Sequence, residues 1–145
     1  MKTNRFHKLL HYGMKCHKKG RKLSRRIIGL LIKLVYKADI PLGTDIDETV
    51  WFCHSGFGTV INPRAVIGAD TVIQHRVTIG ELSDNGGAPI IEKNVYIGAG
   101  AIILGDITVG ENAKIGAGAV VVKDVPKNST AVGNPARIIL HDEKE

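Results

Sequence analysis

The chain has 145 residues, which suits a single domain better than two. Hydrophobic residues make up 43% of it but aromatic residues only 5%, and two cysteines exclude a disulfide framework, which favours a reducing cytoplasmic compartment. The formal net charge of +6 is unevenly spread: residues 1–38 carry twelve Lys or Arg and no Asp or Glu, whereas residues 39–145 carry eight against fourteen acids.

Residues 1–38 are predicted to form a basic N-terminal helical leader. Within it, residues 23–37 predict an amphipathic helix with one apolar stripe, made of Ile27, Ile28, Leu31, Leu34 and Val35. The stripe favours a helix that packs across the end of the following domain. The alternative is peripheral contact with anionic lipid at the inner face of the membrane. No nucleic-acid partner is expected, because the basic stretch lacks interleaved aromatics.

Two further features of the leader argue against other classes of protein. Its longest apolar run, residues 27–36, is interrupted by Lys33 and is too short to span a bilayer. His7 and His11 would share one face of a helix, but two ligands without a third predict a solvated face and no metal site.

Residues 61–125 repeat with a period of six. The first column of the repeat holds aliphatic β-branched residues: Ile61, Ile67, Ile73, Ile79, Ile91, Ile97, Ile103, Val109, Ile115 and Val121. Four places on, a second column holds small or medium residues: Ala65, Thr71, Val77, Ser83, Val95, Ala101, Ile107, Ala113, Ala119 and Val125. This period is typical of a parallel β-helix, in which each hexad is a short strand plus a turn and the coils stack on one another.

Two segments break the repeat, and such breaks tend to mark sites. Residues 51–58 carry two glycines and delay the column by three residues, while residues 83–89 read as a loop leaving the coil. A first irregular coil is expected from Asp39, so the predicted β-helix domain spans residues 39–139 and a charged tail covers residues 140–145.

The hexads, the segment from Asp39 to His54 and the closing residues 123–139 resemble hexapeptide-repeat acyltransferases, most of all the serine acetyltransferase branch. The resemblance implies an all-β fold, a left-handed parallel β-helix. It also implies a homotrimer that binds acetyl-CoA, as a co-substrate without a metal, between neighbouring subunits.

The resemblance further implies a catalytic pair, an Asp and a His fifteen residues apart, which Asp39 and His54 match. An alcohol needs a base as it attacks a thioester, and imidazole, with an ordinary pKa near ~6.5, suits that task. A carboxylate on the other ring nitrogen fixes the tautomer and steadies the imidazolium. His75 is a second candidate for the same cleft, although it has no evident orienting partner.

Acceptor and acyl-CoA residues follow from the same resemblance. Trp51, Cys53 and Phe57 are expected to line the acceptor site beside His54. Ala99 and Ala117 match the small residues along which the pantetheine arm lies. Lys123 and Arg137 are expected to meet the phosphates.

Three departures from serine acetyltransferases bear on the acceptor. Only 38 residues precede Asp39, Cys53 stands where an acid is expected, and Gly87–Ala88 replaces an Arg-His pair that holds the amino acid. These differences favour O-acetylation of a sugar hydroxyl in surface or capsular polysaccharide assembly. Serine O-acetylation and a non-catalytic hexapeptide scaffold remain the alternatives.

Overall fold

The computed structural model describes residues 4–83 and 86–140. Two helices, α1 (Arg5–Lys18) and α2 (Lys22–Tyr36), precede a β-helix of short parallel strands with three flat faces. The helix predicted at 23–37 is therefore confirmed, while α1 adds a helix in a stretch that the sequence analysis described only as basic.

The strands of the β-helix form one sheet on each face. Face 1 contains β1 (Asp45–Ile46), β4 (Val66–Ile67), β7 (Ile90–Ile91) and β10 (Thr108–Val109). Face 2 contains β2 (Trp51–Phe52), β5 (Val72–Ile73), β8 (Tyr96–Ile97), β11 (Lys114–Ile115) and β13 (Ser129–Val132). A final strand, β14 (Arg137–Leu140), pairs antiparallel with β13 at the edge of this face. Face 3 contains β3 (Val60–Ile61), β6 (Thr78–Gly80), β9 (Ile102–Leu104) and β12 (Val120–Val121).

The core consists of the two repeat columns, as predicted. Every member of the first column is at most 2% exposed, because each coil places its β-branched residue on the counterpart in the next coil. The second column is buried as well, except for Ser83, which is exposed where the chain leaves the coil. Parallel pairing in register, such as Ile73 with Ile97, fixes this stacking.

Turns between faces use left-handed backbone, for which asparagine is well suited. Asn94, Asn112 and Asn128 have φ values of 58°, 60° and 57°. Their side chains form a ladder in which each amide donates to the next, at 2.7 Å and 2.9 Å. The ladder joins successive coils along one corner of the β-helix.

The N-terminal end of the β-helix is covered by α1. Phe6, Leu10 and Met14 lie on one face of α1, and Phe6 packs edge-on against Phe52, with ring centroids 5.8 Å apart. The prediction that the stripe of α2 packs across the end of the domain is wrong for most of its members. Ile28 is buried, but the others are exposed because α1 already occupies the end of the stack.

His7 joins α1 to the first coil. Its Nε2 accepts the backbone N–H of Phe52 at 3.0 Å, its Nδ1 lies 2.7 Å from Asn4 Oδ1, and its ring stacks on Trp51 with centroids 4.1 Å apart. The side chain is only 1% exposed, so the expectation of a solvated face at His7 is wrong. Both ring nitrogens are engaged within the protein, which leaves neither for a metal.

Burial, followed by the nearby charge of His11, lowers the pKa of His7 to about 4 from 6.5. The folded state then binds fewer protons than the unfolded chain between these two values. Stability from neutral His7 is therefore present above pH 6.5 and is lost as the pH falls toward about 4.

We expect a His7→Gln variant, which keeps a side-chain acceptor but does not titrate, to lose most of this pH dependence. The midpoint of thermal unfolding, measured from pH 7 to pH 4 by circular dichroism, tests the expectation. His11→Gln is the matched control and should retain most of the wild-type slope, because burial is the larger cause of the lowered pKa and the charge of His11 the smaller one. Equal slopes in wild type and His7→Gln would show that His7 does not carry the effect.

Candidate active site

His54 lies in a strained loop between faces 2 and 3. A short 3-10 segment, Cys53–Gly56, follows β2, and His54 and Ser55 have φ values of 50° and 57°. Residues other than glycine rarely adopt this region, and backbone strain of this kind clusters at functional sites. The loop turns the chain out of the regular coil and leaves the His54 side chain exposed.

Helix α1 supports this loop from below. A Cβ atom at Gly56 would lie 2.7 Å from Phe6 Cζ, so the ring of Phe6 packs directly on the loop backbone. Asn4 Nδ2 lies 3.5 Å from Ser55 Oγ, at the long limit of a hydrogen bond. The leader thus contacts Ser55 and Gly56, the two residues that follow His54 in the loop.

His54 and His75 lie side by side. Their ring centroids are 4.9 Å apart and the rings are nearly perpendicular, at 85°. His75 Nδ1 is buried without a hydrogen-bond partner among the described residues. Leaving such an atom unpaired costs about 1–3 kcal/mol, so the placement of His75 beside His54 is not explained by stability alone.

Four predicted site residues share one edge of the β-helix. Each lies two residues beyond an inward-facing residue of face 2: His54 after Phe52, His75 after Ile73, Ala99 after Ile97 and Ala117 after Ile115. The four inward residues are paired in register from coil to coil. The edge between faces 2 and 3, called here the 2–3 edge, therefore carries the two histidines first and the two alanines beyond them.

The 2–3 edge is open beyond the histidines. Added Cβ atoms at Gly100 and Gly118 would meet nothing within 4 Å. Backbone hydrogen bonds join neighbouring coils here, with Gly100 N–H donating to His75 O at 3.0 Å and Gly118 N–H donating to Ala99 O at 2.9 Å. An extended ligand arm would fit along this uncrowded surface.

Asp39 begins the β-helix on face 3, where it bridges Val60. Its carboxylate accepts a hydrogen bond from Lys33 Nζ of α2 at 2.7 Å, and the two side chains are 51% and 61% exposed. No hydrogen bond joins Asp39 to His54 within residues 4–83 and 86–140. An ion pair this exposed contributes about 0–1 kcal/mol, so it holds the carboxylate weakly.

The three predicted acceptor residues differ in exposure. Phe57 is 47% exposed beside the loop, while one face of the Trp51 ring is covered by His7. Burial raises the pKa of the Cys53 thiol, an effect that a hydrogen bond with Trp51 partly offsets. Cys53 is therefore a protonated thiol near neutral pH.

Lys123 lies away from the 2–3 edge, at the opposite margin of face 3. It follows β12 and lines a groove of about 280 Å³ with residues that include Asp124, Pro135 and Ala136. The Asp124 carboxylate accepts the N–H of Thr108 at 2.8 Å. Arg137 begins β14 and is exposed, so both cations are open to an anionic ligand.

The loop between β6 and β7 is described only at its two ends, because Asp84 and Asn85 lie outside the described residues. Arg64 fixes its far end by donating to the carbonyl of Gly86 at 2.7 Å. A side chain at Gly87 would overlap the carboxyl group of Asp106, and Ala88 is only 9% exposed. An arginine at position 87 would require Asp106 to move.

Comparison with known proteins identifies relatives of this chain. The family model "Bacterial transferase hexapeptide (six repeats)" matches residues 88–123. "Serine acetyltransferase 1, chloroplastic" from Arabidopsis thaliana is 47% identical over 124 residues, which cover 81% of this chain and 39% of that protein. The chain contains a hexapeptide-repeat domain homologous to serine acetyltransferases.

Two further matches, one solved structure and one protein sequence, are similar to the same domain. The structure "Soybean Serine Acetyltransferase Complexed with Serine" superposes with a TM-score of 0.82 at 40% identity, covering 90% of this chain and 54% of that one. "Putative colanic acid biosynthesis acetyltransferase WcaB" from Escherichia coli (strain K12) is 49% identical over 86 residues, which cover 59% of this chain and 53% of that protein. The chain spans less than two thirds of the length of each of these relatives.

Sequence reasoning did not identify the support of the site by the leader. Asn4 caps α1 by accepting the N–H of His7 at 3.0 Å, and Phe6 and Leu10 follow at helical spacing. An N-cap residue followed by this spacing was a readable signal. The pairing of Lys33 with Asp39 had no comparable signal, because it depends on where α2 ends.

Gly98 offers a test of how closely the coils approach at the 2–3 edge of the hexapeptide-repeat domain. A Cβ atom there would lie 2.5 Å from the backbone nitrogen of Ala117, so Gly98→Ala should lower the free energy of unfolding by about 1–3 kcal/mol. Gly80→Ala is the control at the equivalent hexad position, where the nearest atom is 3.5 Å away on Leu104. Urea denaturation should show no loss for the control, and equal losses would contradict the close approach.

Proposed function

We propose that the protein is an acetyl-CoA-dependent O-acetyltransferase with His54 as its general base. The observation that carries the proposal is the 2–3 edge, where the paired coils bring His54 and His75 beside the open surface of Ala99 and Ala117. The homology to serine acetyltransferases supports the same reaction class.

The chemistry needs one proton acceptor and one activated acyl group. His54 takes the proton of the acceptor hydroxyl, and the hydroxyl oxygen attacks the carbonyl carbon of the thioester. The tetrahedral intermediate collapses as the carbon–sulfur bond breaks, and the imidazolium returns its proton to the departing CoA sulfur. The products are an acetyl ester and CoA, and the base is restored.

Asp39 is proposed to orient His54 when the site is assembled. The two residues border the same face at the first coil, and the carboxylate is held only by the exposed ion pair with Lys33. If the Asp39 carboxylate exchanged Lys33 for the imidazolium of His54, it would fix the ring of His54 and stabilise the positive charge. His75, whose ring centroid lies 4.9 Å from that of His54, is a second imidazole at the site.

The residues present fit an acetyl-CoA ligand. Small side chains at Ala99 and Ala117 leave backbone open to a pantetheine arm, and Lys123 and Arg137 are exposed cations suited to its phosphates. A homotrimer would supply the second wall of the cleft from a neighbouring subunit. Residues on the outer side of face 3, such as Val60 at 45% exposure, are available for that contact.

The relatives favour serine as the acceptor hydroxyl. Several of the most similar curated proteins are named serine acetyltransferases, and one superposed structure is titled as a complex with serine. The preference for a sugar that the sequence suggested is not confirmed by these comparisons. A non-catalytic scaffold is disfavoured because both Asp39 and His54 are retained.

A sugar hydroxyl stays as a second candidate acceptor for one structural reason. Gly87 packs against Asp106 and Ala88 is buried, so this segment offers neither the Arg nor the His that the family resemblance expects for gripping an amino acid. The WcaB protein, named for colanic acid biosynthesis, is a relative of comparable identity.

Replacement of His54 tests the base directly. His54→Asn should lower the rate of acetyl-CoA consumption by about 10²–10⁴-fold, since asparagine tolerates the left-handed backbone but takes no proton. A thiol-release assay with serine and with glycan acceptors measures the rate, and circular dichroism confirms the fold. Turnover close to wild type would place the base elsewhere, with His75 the next residue to replace.

Variants at Asp39 and Lys33 distinguish two roles of Asp39, the orientation of His54 and the anchoring of α2. Asp39→Asn should reduce turnover less than His54→Asn does, because the imidazole remains but is poorly oriented. Lys33→Ala removes the same ion pair while leaving the carboxylate, so its turnover should stay at or above wild type. Equal losses in both variants would mean that Asp39 acts only as an anchor for α2.

The acceptor is tested by comparing this protein with the soybean enzyme. We expect turnover of serine with a KM about tenfold or more higher than that of the soybean enzyme, because a charge-assisted contact at position 87 is absent. The measurement is initial-rate kinetics of acetyl-CoA consumption over serine concentration, beside a panel of glycans. Equal KM values would contradict the role assigned to position 87, and turnover of glycans alone would select the sugar.

A further inference from the structure

Helix α2 contacts the rest of the protein along one narrow side. Ile28 and Ile32 are buried at 6% and 1% exposure, and Tyr36 continues this side at helical spacing. The opposite side of α2 carries apolar side chains that are each more than half exposed among the described residues. It is a helix face that the rest of the described chain leaves largely uncovered.

That open side is apolar. Leu23, Ile27, Leu30 and Leu34 recur at spacings of four, three and four residues, which places them on one stripe. They are 73%, 52%, 57% and 56% exposed. Soluble proteins rarely leave such a contiguous apolar stripe open unless it meets a partner or a membrane.

A cationic row runs beside the apolar stripe. Lys22, Arg26 and Lys33 each precede a stripe residue by one position, so they lie together on one flank of it. All three are exposed, and Lys33 is also paired with Asp39, so the inference rests on Lys22 and Arg26. The leader as a whole carries twelve Lys or Arg and no acid, whereas the remainder of the chain is acidic on balance.

We propose that this face of α2 binds the surface of an anionic phospholipid bilayer. Contact with the leader of a second copy fits poorly, because it would bring two leaders of twelve cations each face to face. An anionic surface complements those cations, and its acyl boundary accepts the apolar stripe. The inference stands apart from the proposed catalysis, since it uses none of the residues at the 2–3 edge.

The helix would lie in the plane of the membrane surface. No helix within residues 4–83 and 86–140 combines the length and apolarity needed to cross a bilayer. Leu23, Ile27, Leu30 and Leu34 would enter the headgroup boundary while Lys22 and Arg26 reach the phosphates beside them. Ile28 and Ile32 would keep the helix docked on its own domain.

Vesicle co-sedimentation tests the proposal with the full chain. We expect the wild type to pellet with vesicles of phosphatidylcholine and phosphatidylglycerol and to stay in solution with phosphatidylcholine alone. Leu30→Gln with Leu34→Gln should abolish this binding, since both side chains are exposed and glutamine sustains a helix. Leu140→Gln, at a residue 70% exposed on β14, is the matched control and should bind as wild type does.

Charge variants measure the electrostatic part separately. Lys22→Ala with Arg26→Ala should weaken binding to anionic vesicles roughly thirtyfold, and added salt should reproduce the loss. Lys114→Ala with Lys127→Ala removes the same charge from the β-helix and should have no effect. Gel filtration of each variant checks that its assembly is unchanged.

Three outcomes would overturn the proposal. One is a wild type that does not pellet with anionic vesicles. Another is equal binding by wild type and the Leu30→Gln, Leu34→Gln variant. The third is a smaller oligomer in the Leu30→Gln, Leu34→Gln variant when neither this variant nor the wild type binds vesicles. That result would make the stripe an interface between copies of this chain.

Discussion

The register in which each coil stacks on the next is the constraint on which the rest of this structure depends. Parallel pairing of Phe52, Ile73, Ile97 and Ile115 stacks one apolar column inside the β-helix. The same pairing fixes the positions of the residues two places further along, because the chain leaves each strand at the same corner. A column of buried apolar residues thus aligns a second column at the 2–3 edge, which His54, His75, Ala99 and Ala117 occupy. His54 and Ala117 are exposed there, and His75 and Ala99 are half-buried. One register therefore determines both the packing of the core and the alignment of the candidate site.

A stack of coils has an end, and that end needs a cover that satisfies its backbone groups. His7 does this for the N–H of Phe52 while its ring covers one face of Trp51. The same helix turn carries Phe6 onto Gly56, inside the loop that presents His54. Strain at two left-handed residues can persist there because the surrounding contacts hold the loop. The leader therefore both closes the fold and supports the candidate base.

The repeat made the β-helix and its core readable from the sequence, because a period of six leaves little choice of fold. The alignment of the candidate site was less readable, since His54, His75, Ala99 and Ala117 are separated by 21, 24 and 18 residues. Only the last spacing is a whole coil of three hexads. The loop after Phe52 adds three residues and the one after Ser83 adds six, so the shared edge emerges only when the coils are stacked. The role of α2 was misjudged because its stripe was assigned to the domain end that α1 covers.

Acetyl transfer at the 2–3 edge requires the thiol of CoA to lie close to the histidines. A crystal structure of the protein with CoA measures this, through the position of one sulfur atom. We expect the pantetheine arm to lie along Ala99 and Ala117 and the thiol to reach the imidazole of His54, at a separation of about 3–4 Å. A thiol bound away from both His54 and His75 would place acetyl transfer elsewhere, whatever the activity of the protein.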